Sequence, residues 1–190
     1  MRMLILVKHS LPQIEPDEPA HRWLLSNEGR ARCKPLADVL AQYAPGVIFC
    51  SAEPKARETA QIVAEQLAVE CREAENLNEH DRSNVPLLPQ PEFEESVREF
   101  FHKPDRLVFG RETARQAVQR FGWAVDGVLA SADAACVAVV SHGTVISLFV
   151  GERTGCEPFD LWRQLELPSF VVLAGPPWQI QKAVFRVASD

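Results

Sequence analysis

Two short apolar runs, far apart in the chain, each end on a histidine followed by a small residue. They are Leu4-Ile5-Leu6-Val7-Lys8-His9-Ser10 and Cys136-Val137-Ala138-Val139-Val140-Ser141-His142-Gly143. Continuous branched apolar residues, without polar alternation, mark strands covered on both faces, as in parallel sheets flanked by helices. In open sheets of that kind ligands gather at the C-terminal ends of the strands. The pattern therefore predicts two imidazoles facing one another across one site, a setting for nucleophilic imidazole chemistry.

The rest of the chain reads as α/β. A strand over Met3–Lys8 gives way to a proline-broken, acidic loop, Leu11–Trp23. Ser26 is placed to cap a helix over Asn27–Gln42, whose inward stripe is Cys33, Leu36, Val39, Leu40 and Tyr43. Val47–Cys50 is a second buried strand, and Pro54 opens a second helix at the position that suits a residue without N–H. Strand-helix-strand-helix order predicts a three-layer sandwich, a mostly parallel sheet with helices on both faces. From Leu77 to Gly110 prolines interrupt the pattern around one amphipathic stretch, Glu92–His102. This segment is too small for its own core, so residues of about 79–110 are expected to form a flap inserted over the sheet end. A long helix over Glu112–Ala130 follows, then the strand to Ser141, a short helix from Thr144 to Val150, and a hairpin of Phe170–Ala174 and Gln179–Val187.

The 190 residues fit one domain spanning 1–190. A net charge of −6 without a basic stripe argues against nucleic acid as a partner. The opening apolar run is shorter than the roughly 7–15 residues of a signal-peptide core. No stretch approaches the about 18 consecutive apolar residues of a membrane span. Five cysteines, an odd number without a CxxC pair, read as small buried side chains in a reducing compartment, so a cytoplasmic location is expected. Oligomeric state is left open.

Taken singly, the candidate site residues have ordinary explanations. A histidine after a strand is commonly structural. Lys55, in the first turn of the second helix, reads as a solvated lysine. Glu79 reads as a loop carboxylate or a helix cap, and Glu112 as a carboxylate favoured by a helix N-terminus. His21 and His102 read as loop or surface residues. The pairing of His9 with His142-Gly143, ahead of a helix whose free N–H groups suit an anion, is what raises the functional reading.

At this point the arrangement resembles the histidine phosphatase superfamily, the phosphoglycerate-mutase-like fold. Lys8-His9-Ser10 stands where that family has Arg-His-Gly. Ser51-Ala52-Glu53-Pro54-Lys55-Ala56-Arg57-Glu58-Thr59-Ala60 stands at its Ser-x-x-x-Arg-Ala-x-x-Thr-Ala element, and Val137–Gly143 at its later strand-His-Gly. Leu77-Asn78-Glu79 matches its Leu-x-Glu, and Ser26–Arg30 the start of its first helix. The resemblance runs in order from Met3 to about Leu173. It implies a phosphomonoester hydrolase acting on a small phosphorylated substrate without metal or other cofactor. His9 would carry the phosphoryl group, Glu79 would protonate the leaving alkoxide, and Lys8, Lys55, His142 and Gly143 would hold the phosphate. One nitrogen of His9 would attack while the other donates to a backbone carbonyl. Partial burial under the flap is expected to raise the pKa of Glu79. His80 and Asp81 are its neighbours, with Asp81 the alternative acid.

Lysine keeps the charge of the two family arginines and loses their planar fork. The alternative implied is a catalytically weak phosphate-ligand binding or regulatory module on the same fold. A phosphoglycerate-type mutase is disfavoured, because Glu79-His80-Asp81-Arg82-Ser83 lacks the mutases' Glu-Arg-x-x-Gly. A metallohydrolase using His9, Glu79, His80, Asp81 and His142 finds no support in an HExxH-like spacing.

Overall fold

The branched apolar runs form strands, as their composition favours. The computed structural model describes residues 2–187. It contains β1 (Arg2–Lys8), β2 (Val47–Cys50), β3 (Glu70–Glu73), β4 (Cys136–Ser141), β5 (Ser169–Gly175) and β6 (Gln179–Val184) in one sheet ordered β3-β2-β4-β1-β5-β6. The pairs β1–β4, β4–β2 and β2–β3 are parallel, while β5 and β6 close one side in antiparallel pairing. The fold is the α/β three-layer arrangement that the sequence pattern predicts.

Side-chain alternation along each strand sends residues to two separate cores. Ile5 and Val7 pack with Ile48, Val140 and Phe170 against α1 (Asn27–Leu40) and α2 (Pro54–Leu67), through Cys33, Leu36, Ala60 and Val63. Leu4 and Leu6 join Phe49, Val139 and Val171 against α3 (Gln90–His102), α4 (Ala114–Ser131), α5 (Gly143–Thr154) and α6 (Pro158–Gln164). Phe100, Phe121, Phe149 and Leu4 are fully buried. Each such side chain contributes roughly 1.5–3 kcal/mol by burial.

The caps act where the residue types allow. Ser26 accepts the Gly29 N–H at the start of α1. Thr113 and Gln116 form a reciprocal capping box at the start of α4. That box leaves Glu112 outside the helix. The carboxylate expected at the helix N-terminus instead accepts the Asp81 N–H and the fork of Arg120. Helix α1 ends at Leu40 rather than Gln42, followed by a tight turn in which Ala44 adopts φ 46°. Two elements, β3 and α6, have no counterpart in the sequence reading. β3 is a polar edge strand, Glu-Cys-Arg-Glu, and edge strands need no apolar run. Between Leu77 and Gly110, Leu77, Val97, Phe100 and Phe101 are buried in the second core. No helix among the described residues is long and apolar enough to cross a membrane.

Candidate active site

Three adjacent parallel strands end on site residues. The chain leaves β1 at His9, β4 at His142 and β2 at Ser51, with register held by Lys8 opposite Ser141 and Cys50 opposite Val140. The His9 N–H donates to Ser141 O at 3.0 Å, and the Ser51 N–H to Val140 O at 3.0 Å. After β1 the chain goes on to α1 on one face, and after β4 to α5 on the other. That divergence opens a crevice between the two strand ends.

The His9 and His142 rings lie there with centroids 5.2 Å apart, inclined at 63°. His9 Nδ1 is 2.7 Å from Ser10 O. A carbonyl only accepts, so Nδ1 carries the proton and Nε2 keeps its lone pair. Burial, then the charges of His142 and Lys55, hold the His9 pKa well below the ordinary imidazole value. His9 is neutral at pH 7. Ser10 stands where the family resemblance has glycine. Its hydroxyl donates to Gly29 O at 2.7 Å and its N–H donates to Thr59 Oγ1 at 3.0 Å. The extra atoms are thus absorbed behind the strand.

His142 Nε2 is 3.0 Å from Ser51 Oγ and 3.5 Å from Glu53 Oε1, while its Nδ1 is buried with no hydrogen-bond partner among the described residues. Burial and then Lys55 lower its pKa well below the usual value, with Glu79 pulling the other way. Lys55 is not the solvated lysine of the isolated reading: it is 5% exposed, and Nζ donates to Glu53 Oε2 at 2.6 Å and Ala20 O at 2.7 Å. Lys8 Nζ donates to Leu165 O at 2.6 Å. Its pKa falls to about 8, mainly because it is buried, with Arg82 adding to the fall and Glu79 opposing it. The Lys8 stem runs past Gly143, where a Cβ would meet Cε at 3.1 Å and Nζ at 3.3 Å. A side chain at 143 would displace the ammonium.

Glu79 is anchored by backbone. Its Oε1 accepts the His80 and Val145 N–H groups at 2.9 and 3.3 Å, and Oε2 accepts Thr144 N–H at 3.2 Å. Two of the free amides at the start of α5, expected to face phosphate around Gly143, are therefore taken by Glu79. This corrects the expectation for its acidity. Burial pushes the Glu79 pKa up, but Arg82, His142 and the His80 N–H together outweigh it, and the net shift is downward. Glu79 is ionised in the free site. Arg120 on α4 fixes its loop, donating to the carbonyls of Asn76, Asn78 and Glu79 and to Glu112.

His80 is 2% exposed and packs on Phe100 and Phe109, at ring distances of 4.1 and 4.8 Å. Among the described residues neither ring nitrogen has a hydrogen-bond partner, and burial lowers its pKa. Gly110, at φ 81°, seals this pocket; a Cβ there would collide with the Asp81 carbonyl and the His80 ring. Asp81 accepts the N–H and hydroxyl of Ser83, a local turn. His21 and His102 are exposed.

Lys8, Glu53, Lys55, Glu79 and Arg82 line a cleft of about 1230 Å³, together with Phe93 and Trp162. Two of its charged residues, Glu53 and Arg82, do not stand out in the sequence. An acid two residues before Lys55, ahead of a helix, carries the same signal as any helix-start carboxylate. A single arginine in an irregular loop carries none. Among the described residues no group of three or more His, Cys, Asp or Glu side chains is arranged to hold a metal ion.

Residues 12–176 match the family model of the histidine phosphatase superfamily (branch 1). The chain belongs to that superfamily. The solved structure of mycobacterial glucosyl-3-phosphoglycerate phosphatase is similar at TM-score 0.76 and 19% identity, covering 100% of both chains. YhfR of Bacillus stearothermophilus is similar at TM-score 0.77 and 19% identity, covering 95% of this chain and 96% of its own. The alpha-ribazole phosphatase of Shigella flexneri is similar at 0.73 and 16%, covering 98% and 97%. At these identities the likeness is one of fold. No curated protein matches the chain in sequence.

Proposed function

We propose that this chain is a phosphomonoester hydrolase that works through a phosphohistidine on His9. The observation that carries the reading is the His9 ring itself: Nδ1 is committed to Ser10 O, and the imidazole is neutral beside a second histidine and two lysines. A neutral imidazole with a fixed tautomer is a ready nucleophile. Membership of the superfamily and the presence of phosphatases among the proteins of similar fold support it.

Nε2 of His9 attacks phosphorus. The N–P bond forms as the ester P–O bond breaks, and the leaving oxygen takes a proton from Glu79. Water then attacks the phosphohistidine, gives a proton to Glu79, and inorganic phosphate leaves. Glu79 begins ionised, so its proton arrives with the substrate: a phosphomonoester monoanion carries one, and the incoming negative charge raises the carboxyl pKa. His142 takes a further proton on Nδ1 from solvent as the anion binds, while Ser51 and Glu53 hold Nε2. Transfer passes through a loose, metaphosphate-like state, so neutralising the oxygens is the main work. Lys8, Lys55 and His142 do it in this reading, with no metal. Residues of about 79–110 cover the cleft, the chain acts as one domain on a small phosphorylated substrate, and its place is the cytoplasm.

One observation favours a second reading, a phosphate-binding module with little turnover. Glu53 occupies Lys55 and lies beside His142, inside the pocket that would take the anion. Rapid mixing with p-nitrophenyl phosphate, an alkaline quench and intact-mass measurement separate the two. Hydrolysis predicts a phosphoryl adduct on His9 that is absent in His9→Ala, with turnover lost in that variant. Phosphate binding with neither adduct nor turnover supports the module.

A further inference from the structure

Glu53 is the N-cap residue of α2, and its backbone behaves as one: the carbonyl accepts the Ala56 and Arg57 N–H groups at 3.0 Å each. Its side chain does not cap the helix. An N-cap carboxylate ordinarily accepts an N–H of the first turn. Here Oε2 instead meets Lys55 Nζ at 2.6 Å, and Oε1 accepts the Glu79 N–H at 2.8 Å. The Glu53 N–H donates to Ser51 Oγ at 3.2 Å. A buried carboxylate engaged at both oxygens is held in one geometry, and it holds what it touches.

The ammonium it holds is one bond short. A lysine Nζ carries three protons. Lys55 gives one to Glu53 and one to Ala20 O at 2.7 Å, and makes no other hydrogen bond among the described residues. With the stem and two protons fixed, tetrahedral geometry leaves a single direction for the third. Lys55 lines the cleft together with Lys8 and Glu79. An arginine at this position would bring a planar fork whose N–H directions belong to the guanidinium itself. An ammonium on a flexible stem rotates, so its protons take their direction from the acceptors around it.

Resting on the phosphatase reading above, we infer that Glu53 is a positioning residue for phosphoryl transfer: it aims the third N–H of Lys55 at the transferring group, supplying from a neighbour the direction that a guanidinium carries within itself. The device acts unequally on the two states of the reaction. In the ground state the carboxylate offsets the charge of Lys55 and repels the incoming anion, so phosphate is held less tightly than by Lys55 alone. In the transition state negative charge spreads over the equatorial oxygens, where a donor already fixed in place stabilises more than one that must be ordered. Glu53 therefore raises kcat and KM together.

The test measures p-nitrophenyl phosphate hydrolysis by wild type, Glu53→Gln, Lys55→Arg and the double variant, at a temperature where circular dichroism shows all four folded. Both steps move the same phosphoryl group past Lys55, so kcat reads the effect whichever step limits. Glu53→Gln should lower kcat roughly tenfold to a hundredfold, less than the 10²–10³ of losing a transition-state donor outright, and KM should fall with it. In the Lys55→Arg background the same change should cost no more than about twofold in kcat, because the fork needs no neighbour to aim it. Equal losses in both backgrounds, or a fall in kcat with KM unchanged, would overturn the inference and leave Glu53 a structural partner of a buried lysine. A rise in kcat would overturn it too, making Glu53 a block on the anion site. Calorimetric binding of inorganic phosphate and of orthovanadate, which takes up the five-coordinate geometry of the transferring phosphorus, reads the same effect without turnover. Glu53→Gln should bind phosphate more tightly and vanadate more weakly than wild type. If no protein turns over yet this reversal appears, the phosphatase reading fails and the role of Glu53 stands. If wild type turns over and the reversal is absent, the phosphatase reading stands and the inference on Glu53 fails.

Discussion

Glu53 and Lys55 form a buried ion pair inside the candidate phosphate pocket, Nζ to Oε2 2.6 Å, with side chains 10% and 7% exposed. The same carboxylate takes the Glu79 N–H at 2.8 Å and lies 3.5 Å from His142 Nε2. One side chain thus ties the start of α2 to the loop of Glu79 and to the end of β4.

Removing that charge should trade stability against anion affinity. Glu53→Gln leaves Lys55 buried with a neutral acceptor, and breaking a buried pair costs on the order of 3–5 kcal/mol where nothing replaces the partner. The Tm without ligand should fall. Phosphate then becomes the natural partner of Lys55, so the rise in Tm on adding phosphate should be larger in Glu53→Gln than in wild type. Thermal unfolding at several phosphate concentrations checks both; an equal ligand response in the two proteins would remove Glu53 from the anion site.

Lys8 should set an alkaline limit. Its pKa near 8 in the free site means that the ammonium is lost as pH rises through that value. Groups of the free enzyme appear in kcat/KM, so that parameter should decline above about pH 8 while kcat is less affected, because a bound phosphate restores the charge. Lys8→Arg carries a charge that does not titrate in this range. Its profile should lose the limb. A decline that persists unchanged in Lys8→Arg assigns it to another group.

Much of this site is legible in the sequence because it follows from strand ends. A run such as Cys136–Ser141 has one plausible environment, and register then carries His9, His142 and Ser51 to one edge. The isolated reading of a solvated lysine fails for Lys55, which is buried at the edge of the cleft. What the sequence does not disclose are properties that arise from who meets whom. Glu79 is half-buried, as expected, and burial alone would raise its pKa. The opposite net shift comes from Thr144, Val145, His80 and Arg82, contacts that span up to 66 positions of sequence. Glu53 and Arg82 are silent for the same reason, and β3 because an exposed edge strand has no apolar signature.

Three buried histidines make stability fall in mild acid. His9, His80 and His142 each have a folded pKa below the unfolded value near 6.5. As pH drops through about 6.5 the unfolded chain takes up protons that the folded one refuses, so folding free energy declines. Each histidine contributes at most about 1.4 kcal/mol per pH unit in that window. Among the described residues the His80 ring nitrogens lie within hydrogen-bond geometry of no partner, and the ring packs on Phe100 and Phe109. His80→Phe should therefore flatten the decline by about a third and leave stability at pH 8 close to that of wild type. Urea unfolding at pH 8, 6 and 5 measures it, and parallel pH slopes in the two proteins would refute the account of His80.

Glu79 should reveal itself through the leaving group. An alkoxide needs a proton as it departs, whereas p-nitrophenolate barely does. Glu79→Gln keeps the hydrogen-bonding shape and cannot transfer a proton. It should slow phosphorylation of His9 by alkyl phosphates far more than by p-nitrophenyl phosphate, by roughly 10²–10⁴-fold, the usual contribution of a positioned acid. Single-turnover rates are required, because dephosphorylation of His9 is common to both substrates. The lowered pKa adds a second signature. Since Glu79 receives its proton with the substrate, wild-type rates on alkyl phosphates should rise towards the pH at which the ester becomes a monoanion, and Glu79→Gln should lose that rise. Asp81 is the control: its carboxylate is held by Ser83 N–H and hydroxyl at 3.1 and 2.7 Å. If Asp81→Asn rather than Glu79→Gln separates the two substrates, the proton donor is Asp81 and Glu79 is only the brace that holds the start of α5.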